Sequence, residues 1–259
     1  MNKFSIATVI SLAMTAAAAA ADLPAKAPSR PTAFSWTGFY AGVNAGYAWS
    51  SARDVLNYVA PPPGPGGSSN TSEYLPSYIV GGQLGYNLQM SRNWIVGVEA
   101  DAQSGQAHQL SNSNVLVAGT PVPGMSTQVL DTLESFGTVR GRIGFAVARW
   151  MFYGTGGYAW QYLNSTVNGN YGAFPIMSNY GVQSGWAAGG GIEVAFTDKW
   201  SAKLEYLRID SGTWNNTTGV LNATSPLVTG GFVGAGTTIN ESTRVKSDIV
   251  RIGLNYRFF

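Results

Sequence analysis

The sequence predicts an all-β protein: an eight-stranded antiparallel up-and-down transmembrane β-barrel with four long extracellular loops and short periplasmic turns. Three observations predict it. The C-terminal segment alternates strictly between apolar and polar residues. Tryptophans recur at near-regular spacing, each at the start of a strand-like segment. The connections between segments are alternately very short and very long. In the C-terminal segment Val250, Ile252, Leu254, Tyr256 and Phe258 share one face, and Arg251, Gly253, Asn255 and Arg257 share the other. A period of two makes a strand with one apolar and one polar face. Trp36, Trp94, Trp150 and Trp200 lie 50 to 58 residues apart, a period that marks a repeated unit. The unit reads as a β-hairpin with a short turn at one end and a long loop at the other.

Residues 1–21 read as a secretory signal peptide. Lys3 gives the positive start, Phe4 to Met14 the apolar stretch, and Ala16 to Ala21 several A-x-A cleavage sites. The alternative, a membrane anchor, fits less well, because the run is largely Ala and no basic stop-transfer cluster follows. Residues 22–35 carry Pro24, Pro28 and Pro31 with Lys26 and Arg30, which predicts an extended periplasmic tail within reach of peptidoglycan. Residues 36–259 form the barrel. They hold no apolar run long enough for a membrane helix, so insertion must use strands.

Alternation places the first strand at Gly38–Ser50, with Phe39, Val43, Tyr47 and Trp49 on the apolar face. The second runs over Ser77–Met90, with Tyr78, Val80, Leu84 and Tyr86 opposite Gln83, Asn87 and Gln89. The third, Trp94–Gln103, sets Trp94, Val96 and Val98 against Glu99, Asp101 and Gln103. The fourth, Thr132–Val147, sets Leu133, Val139, Ile143 and Phe145 against Glu134, Thr138, Arg140 and Arg142. The fifth, Trp150–Tyr162, is aromatic on both faces, and the face of Phe152, Tyr158, Trp160 and Tyr162 is taken as outward. The sixth, Ser184–Phe196, sets Trp186, Ile192 and Val194 against Glu193. The seventh, Trp200–Ile209, sets Trp200, Leu204 and Tyr206 against Ser201, Lys203 and Glu205. The eighth is the C-terminal segment.

The links near Arg92, Ala148–Arg149 and Asp198 are short, whereas 51–76, 104–131, 163–183 and 210–247 read as long loops. Short periplasmic turns and long outer loops are the outer-membrane pattern, and an even strand number leaves both termini on the periplasmic side. The second and fourth loops offer further hairpins at Val115-Leu116-Val117 and Gly231-Phe232-Val233. Trp36, Trp94, Trp150 and Trp200 are expected to line the periplasmic rim as an aromatic girdle, since an indole suits the membrane–water boundary. Tyr47, Trp49, Tyr78, Trp160, Trp186 and Tyr206 are candidates for the outer girdle. A soluble lipocalin-like barrel would turn the apolar faces inward around a ligand.

With the apolar faces in lipid, the polar faces meet inside. They bring Glu99, Asp101, Glu134, Glu193 and Glu205 against Arg140, Arg142, Lys203, Arg251 and Arg257, and the charges cancel. An eight-stranded barrel is just wide enough for side chains to fill it, so a matched ion-pair network would plug the lumen. A paired-carboxylate acid/base site at Glu99 with Asp101, or Glu193 with Glu205, is the catalytic alternative, and it competes with a basic partner on the same face for each acid.

Composition narrows the function classes. Charged residues are 11%, against about a quarter in soluble proteins. The chain has no Cys, which excludes disulfides and thiolate chemistry. A net charge of +2 gives no basic excess for nucleic acid. His108 is the only His and has no companion metal ligand in the sequence. No phosphate-binding or dinucleotide-binding glycine motif appears. One class of membrane-embedded lipid hydrolases pairs a His with a Ser two residues on; here that position is Leu110.

The C-terminus resembles the assembly signal of bacterial outer-membrane barrels, a polar residue, glycine and two aromatics at set spacing. Arg251, Gly253, Tyr256 and Phe258 fill it, with Phe259 as an additional final residue. Further stretches are Asp22-Leu23-Pro24-Ala25, Trp36-Thr37-Gly38-Phe39-Tyr40-Ala41-Gly42 and Val139-Arg140-Gly141-Arg142-Ile143-Gly144. With these the chain resembles the small outer-membrane β-barrel proteins of alphaproteobacteria, an OmpA-like surface-antigen class that includes hemin-binding members. The resemblance implies a structural, surface-displayed barrel of the outer membrane with no catalytic residues and no obligatory cofactor. A narrow porin or a hemin or small-ligand receptor is the alternative, and a lipid-modifying enzyme the third reading. The expected partners are outer-membrane lipid, lipopolysaccharide, the barrel-assembly machinery and, through the tail, peptidoglycan.

Overall fold

The computed structural model describes residues 34–62, 66–117, 120–169, 175–221, 223–224, 226–229 and 234–258. The expected signal peptide, residues 22–33 of the tail, residues 231–233 of the fourth loop and Phe259 lie outside the described residues. Eight strands follow in chain order: β1 (Gly38–Val59), β2 (Gly67–Gln89), β3 (Trp94–Val117), β4 (Thr120–Val147), β5 (Trp150–Gly169), β6 (Pro175–Ala195), β7 (Trp200–Val220) and β8 (Thr238–Arg257). Each pairs antiparallel with its neighbours, and β8 pairs with β1 to close the ring. A one-turn helix, α1 (Pro226–Thr229), sits between β7 and β8.

The short turns fall where expected. The strand lengths do not. Most of the stretches read as long loops are strand: β1 continues to Val59, β2 begins at Gly67, and β3 and β4 stay paired up to Val117↔Thr120. The third loop is likewise mostly strand, as β5 reaches Gly169 and β6 starts at Pro175. The physical reason is that only the membrane-facing part of a strand needs apolar residues outside. Beyond it both faces can be polar, so the alternation signal fades while the ladder continues. In β1 the inward positions stay filled after Ser50, by Ala52, Asp54, Leu56 and Tyr58. Tyr58 is buried this far along, and burial pushes its hydroxyl up to about 12.

The ladders also show where the ring ends. Among the described residues β6 and β7 pair only from Trp186↔Asp210 to Ala195↔Ser201. β2 and β3 pair from Val80↔Ser104 to Gln89↔Ile95, then again only at Gly67↔Val117 and Ser68↔Leu116. All other neighbours stay paired along nearly their whole length. The wall is therefore continuous for about the 9–11 residues that a membrane strand needs. Past that height it divides into two sheets, β7–β8–β1–β2 and β3–β4–β5–β6.

The outer surface of the continuous part is apolar, with Phe39, Val43, Leu84, Val139, Ile143, Leu204 and Ile252 exposed. In water such a belt would be a large association-prone patch; in lipid it is the solvated surface. The fifth strand faces as expected, with Phe152 and Tyr158 outward. The interior is layered. At the short-turn end lie Ile95, Ala146, Met151 and Ala195. Charged residues fill the middle. Above them is an apolar cluster of Ala48, Ile79, Phe136, Ala159, Ala187, Leu207, Ile209 and Ile249, with buried Gln103 and Gln161 opposite Phe136. The sequence reading, which sent apolar faces only outward, did not foresee that layer.

Inward-facing glycines make room for the large interior side chains. Tyr40 faces Gly85, Arg142 faces Gly97, Tyr153 faces Gly191, Arg140 faces Gly157 and Lys203 faces Gly253 across adjacent strands. A first side-chain carbon at Gly97 would sit 2.6 Å from Asn87 Oδ1 and 3.1 Å from Arg142 Cγ. At the outward Gly82 the nearest atom would be 3.8 Å away. Gly97→Val is therefore expected to cost about 1–3 kcal/mol through overpacking, and Gly82→Ala less than about 0.5 kcal/mol. Urea unfolding of the refolded protein in detergent measures both, and a Gly97→Val midpoint equal to wild type would refute the packing scheme.

Candidate functional site

The densest polar cluster lies at mid-height in the lumen. It is built by parity: inward positions alternate with lipid-facing ones, so residues two apart on neighbouring strands converge on the axis. β3 contributes Glu99 and Asp101, β4 Thr138, Arg140 and Arg142, β6 Glu193, β7 Ser201, Lys203 and Glu205, and β8 Arg251; all are buried.

Arg140 is the hub. Its Nη2 donates to Glu99 Oε1 at 2.7 Å and to Asp101 Oδ2 at 2.8 Å, its Nη1 to Glu205 Oε1 at 3.0 Å, and its Nε to Thr138 Oγ1 at 2.8 Å. Arg251 spans two of the same three acids from the opposite wall, with Nε 2.6 Å from Glu205 Oε2 and Nη2 2.9 Å from Asp101 Oδ2. Lys203 Nζ lies 2.9 Å from both oxygens of Glu99. Arg142 Nη2 donates to Glu193 Oε2 at 2.9 Å, and its Nη1 to the Tyr40 hydroxyl, which donates to Glu99 Oε2 at 2.7 Å. The Arg142 guanidinium also stacks 4.0 Å over the Tyr153 ring. Glu193 accepts further from Ser201 Oγ at 2.6 Å and Asn255 Nδ2 at 2.9 Å. Four carboxylates and four cations share this space and cancel.

Most of the residues proposed from the sequence meet here: Glu99, Asp101, Arg140, Arg142, Glu193, Lys203, Glu205 and Arg251. Arg257 does not. It lies half-exposed at the short-turn rim and donates to the backbone carbonyls of Ser35 and Asp198. It is one step too near the strand end to reach the cluster. The Glu134 backbone lies in β4 at a register shift between Leu133 and Ser135, and its side chain lies outside the described residues. His108, expected where a loop leaves the third strand, is inside β3 opposite Thr132, and its side chain too is outside the described residues.

Of the four girdle tryptophans, Trp94, Trp150 and Trp200 face outward, 52%, 51% and 40% exposed. Trp36 is a correction: it is 3% exposed and buried. It precedes β1, and Gly38, at φ 142°, redirects the chain there while the Trp36 N–H donates to Gln89 Oε1 at 2.9 Å. Phe39, packed 4.6 Å from Tyr86, takes the outward place. In the C-terminal signal, Arg251 and Gly253 face inward, while Tyr256 meets Trp200 and Phe258 edge-on at 5.0 and 5.4 Å.

The sequence reading missed Tyr40, Tyr153, Ser201 as a ligand of Glu193, and Asn255. Parity could have found Tyr40, which alternates with Gly42 and Asn44 on the face opposite Phe39. Tyr153 could not be placed with assurance because its strand is aromatic on both sides.

Every carboxylate of the cluster is ion-paired, although Asp101 Oδ1, Arg142 Nε and Arg251 Nη1 are buried without a hydrogen-bond partner. The carboxylate pairs considered for acid/base work are held apart by cations: Glu99 and Asp101 both bind Arg140, while Glu193 and Glu205 answer to different arginines. Among the described residues no group of three acidic or histidine side chains is placed to hold a metal ion. Removing one member leaves its buried partners unpaired, so Arg140→Met is expected to destabilise by about 3–5 kcal/mol. Glu205→Leu combined with Arg251→Leu should cost less than the sum of the two single changes. Denaturant unfolding in detergent measures both, and an Arg140→Met loss below about 1 kcal/mol would contradict a dry network.

Comparison with known proteins agrees with this architecture. Residues 6–258 match the family model described as the outer membrane protein beta-barrel domain. The chain is 32% identical to the 31 kDa outer-membrane immunogenic protein of Brucella melitensis, over the full length of both. It is 25% identical to the 25 kDa outer-membrane immunogenic protein of Brucella abortus, over all of this chain and 99% of that one. Ail, the attachment invasion locus protein of Yersinia pestis, aligns in structure over 86% of this chain and all of its own, at 13% identity and a TM-score of 0.37. With the family pattern spanning nearly the whole sequence and a relative this similar end to end, the chain belongs to the outer-membrane β-barrel family of Gram-negative bacteria and is an outer-membrane protein.

Proposed function

We propose that the chain is a non-enzymatic structural barrel that strengthens the envelope and displays its long strands at the cell surface. The observation that carries this reading is a lumen filled by side chains. A charge-balanced ion-pair layer lies beneath a largely apolar layer. A hydrated ion would have to shed water in the second and compete with matched charges in the first, and both steps are costly.

By the rule of short periplasmic turns and long outer loops, the short-turn end faces the periplasm and the split sheets stand outside the cell. The Brucella relatives are described as immunogenic, which suits a chain whose strands extend well past the membrane. An acid/base role would need a carboxyl group free to exchange a proton with a substrate, and the mid-lumen acids are committed to cations.

Purified protein in planar bilayers is expected to give no stepwise conductance. Discrete channels that change on replacing Arg140 and Arg142 would overturn the structural reading in favour of a narrow pore. Saturable hemin binding lost on trimming the outer strands would favour a receptor.

A further inference from the structure

The outer face of β7, β8 and β1 changes character abruptly above the membrane belt. Tyr47, Trp49 and Tyr206 form the aromatic edge there, and such rings sit at the lipid head-group level. Beyond that edge the side chains become charged, with Arg53, Arg208, Arg244 and Lys246 outnumbering Asp248 and the buried Asp210. On β1 the sequence runs Trp49, Ser51, Arg53; on β8, Val250, Asp248, Lys246, Arg244; on β7, Tyr206, Arg208, Asp210. The ladders set these side by side: Arg208 opposite Asp248, Asp210 opposite Lys246, Ser51 opposite Lys246, and Arg53 opposite Arg244.

The charges here do not cancel as they do inside. Asp248 is taken by Arg208 at 3.1 Å and by the Tyr206 hydroxyl at 2.6 Å. Asp210 is taken by Arg244 at 2.8 Å, and the hydrogen bond from that guanidinium holds the carboxyl below the ordinary carboxylate range. Among the described residues Arg53 and Lys246 have no carboxylate within ion-pair distance, so the patch keeps two net positive charges. Arg53 and Arg244 are direct cross-strand partners, an arrangement that is unfavourable between like charges unless an anion lies between them.

We propose that Arg53, Lys246 and Arg244 bind the phosphate groups of the glycolipid that forms the outer leaflet, fixing lipid to the β7–β8–β1 face. Guanidinium groups suit phosphate through paired hydrogen bonds. The aromatic edge beneath them sets the head-group depth, and the apolar belt below receives the acyl chains. Asp210 then competes with the lipid for Arg244. The proposal rests on the extracellular placement of the split sheets given above.

The test uses full-length folded protein in phosphatidylcholine nanodiscs, titrated with diphosphoryl lipid A, dephosphorylated lipid A and inorganic phosphate. Wild type should prefer the diphosphoryl form. Arg53→Ser with Lys246→Ser should weaken that binding about thirtyfold and leave dephosphorylated lipid unaffected. Asp210→Asn should tighten it about fivefold by releasing Arg244. Variants are compared only where unboiled samples keep the gel shift of a closed barrel. Equal affinity across the variants, or no preference for phosphate, overturns the proposal. Displacement by millimolar inorganic phosphate overturns the lipid assignment in favour of a free-anion site. Orientation is read separately: because the chain has no Cys, Ser72→Cys should react with a membrane-impermeant maleimide on intact cells. Absence of labelling there overturns the outer-leaflet placement even if lipid binds in vitro.

Discussion

Everything in this barrel follows from cancelling charge inside a tube too narrow for bulk water. A strand that crosses lipid must put its apolar side chains outward, and parity then sends every second residue into the lumen. Eight strands leave space there for side chains alone. Any charge placed inside must meet its opposite directly. Arg140 does so three times, and Arg251 spans two of the same acids from across the barrel. The network ties β3, β4, β7 and β8 together through the axis, a second set of links beside the backbone ladders. Arg142 extends it to Glu193 on β6 and, through Tyr40, to β1.

The same constraint divides the molecule by height. In the membrane the ring must stay closed, because an unpaired strand edge in lipid leaves backbone groups without partners. Above the membrane water satisfies them. The β6–β7 ladder stops at Asp210 and the β2–β3 ladder is interrupted above Val80, so the ring is relaxed where the solvent permits it. The barrel thus combines a base in which every strand is paired on both sides with two separate sheets above it.

Much of this was legible in the sequence. Strand count, strand starts at Trp94, Trp150 and Trp200, the outward faces and the mid-lumen charges all follow from a period of two. What escaped did so for identifiable physical reasons. Alternation of apolar and polar residues reports where lipid is, and it falls silent once both faces are polar. The extension of β1 to Val59 and of β4 down to Thr120 was therefore taken for loop. The inner apolar layer was hidden because the pattern inverts there: Leu207, Ile209 and Ile249 point inward while their chain neighbours Arg208 and Asp248 are charged. Trp36 looked like its three counterparts by spacing, but spacing does not reveal the bend at Gly38 that turns it inward.

The pairing of inward glycines with bulky neighbours has one more consequence, for alignment between strands. A slip of one residue turns a strand inside out, and lipid opposes it at once. A slip of two keeps every apolar side chain in lipid, so hydrophobicity cannot detect it. The lumen can. Such a slip on β2 would bring Gln83 or Asn87 opposite Tyr40 in place of Gly85, and on β3 it would bring Glu99 or Ile95 opposite Arg142 in place of Gly97. Two large groups would then compete for a space that holds one. The glycines thus act as a lock-and-ward code, and they make the one error that the membrane tolerates the one that the interior rejects.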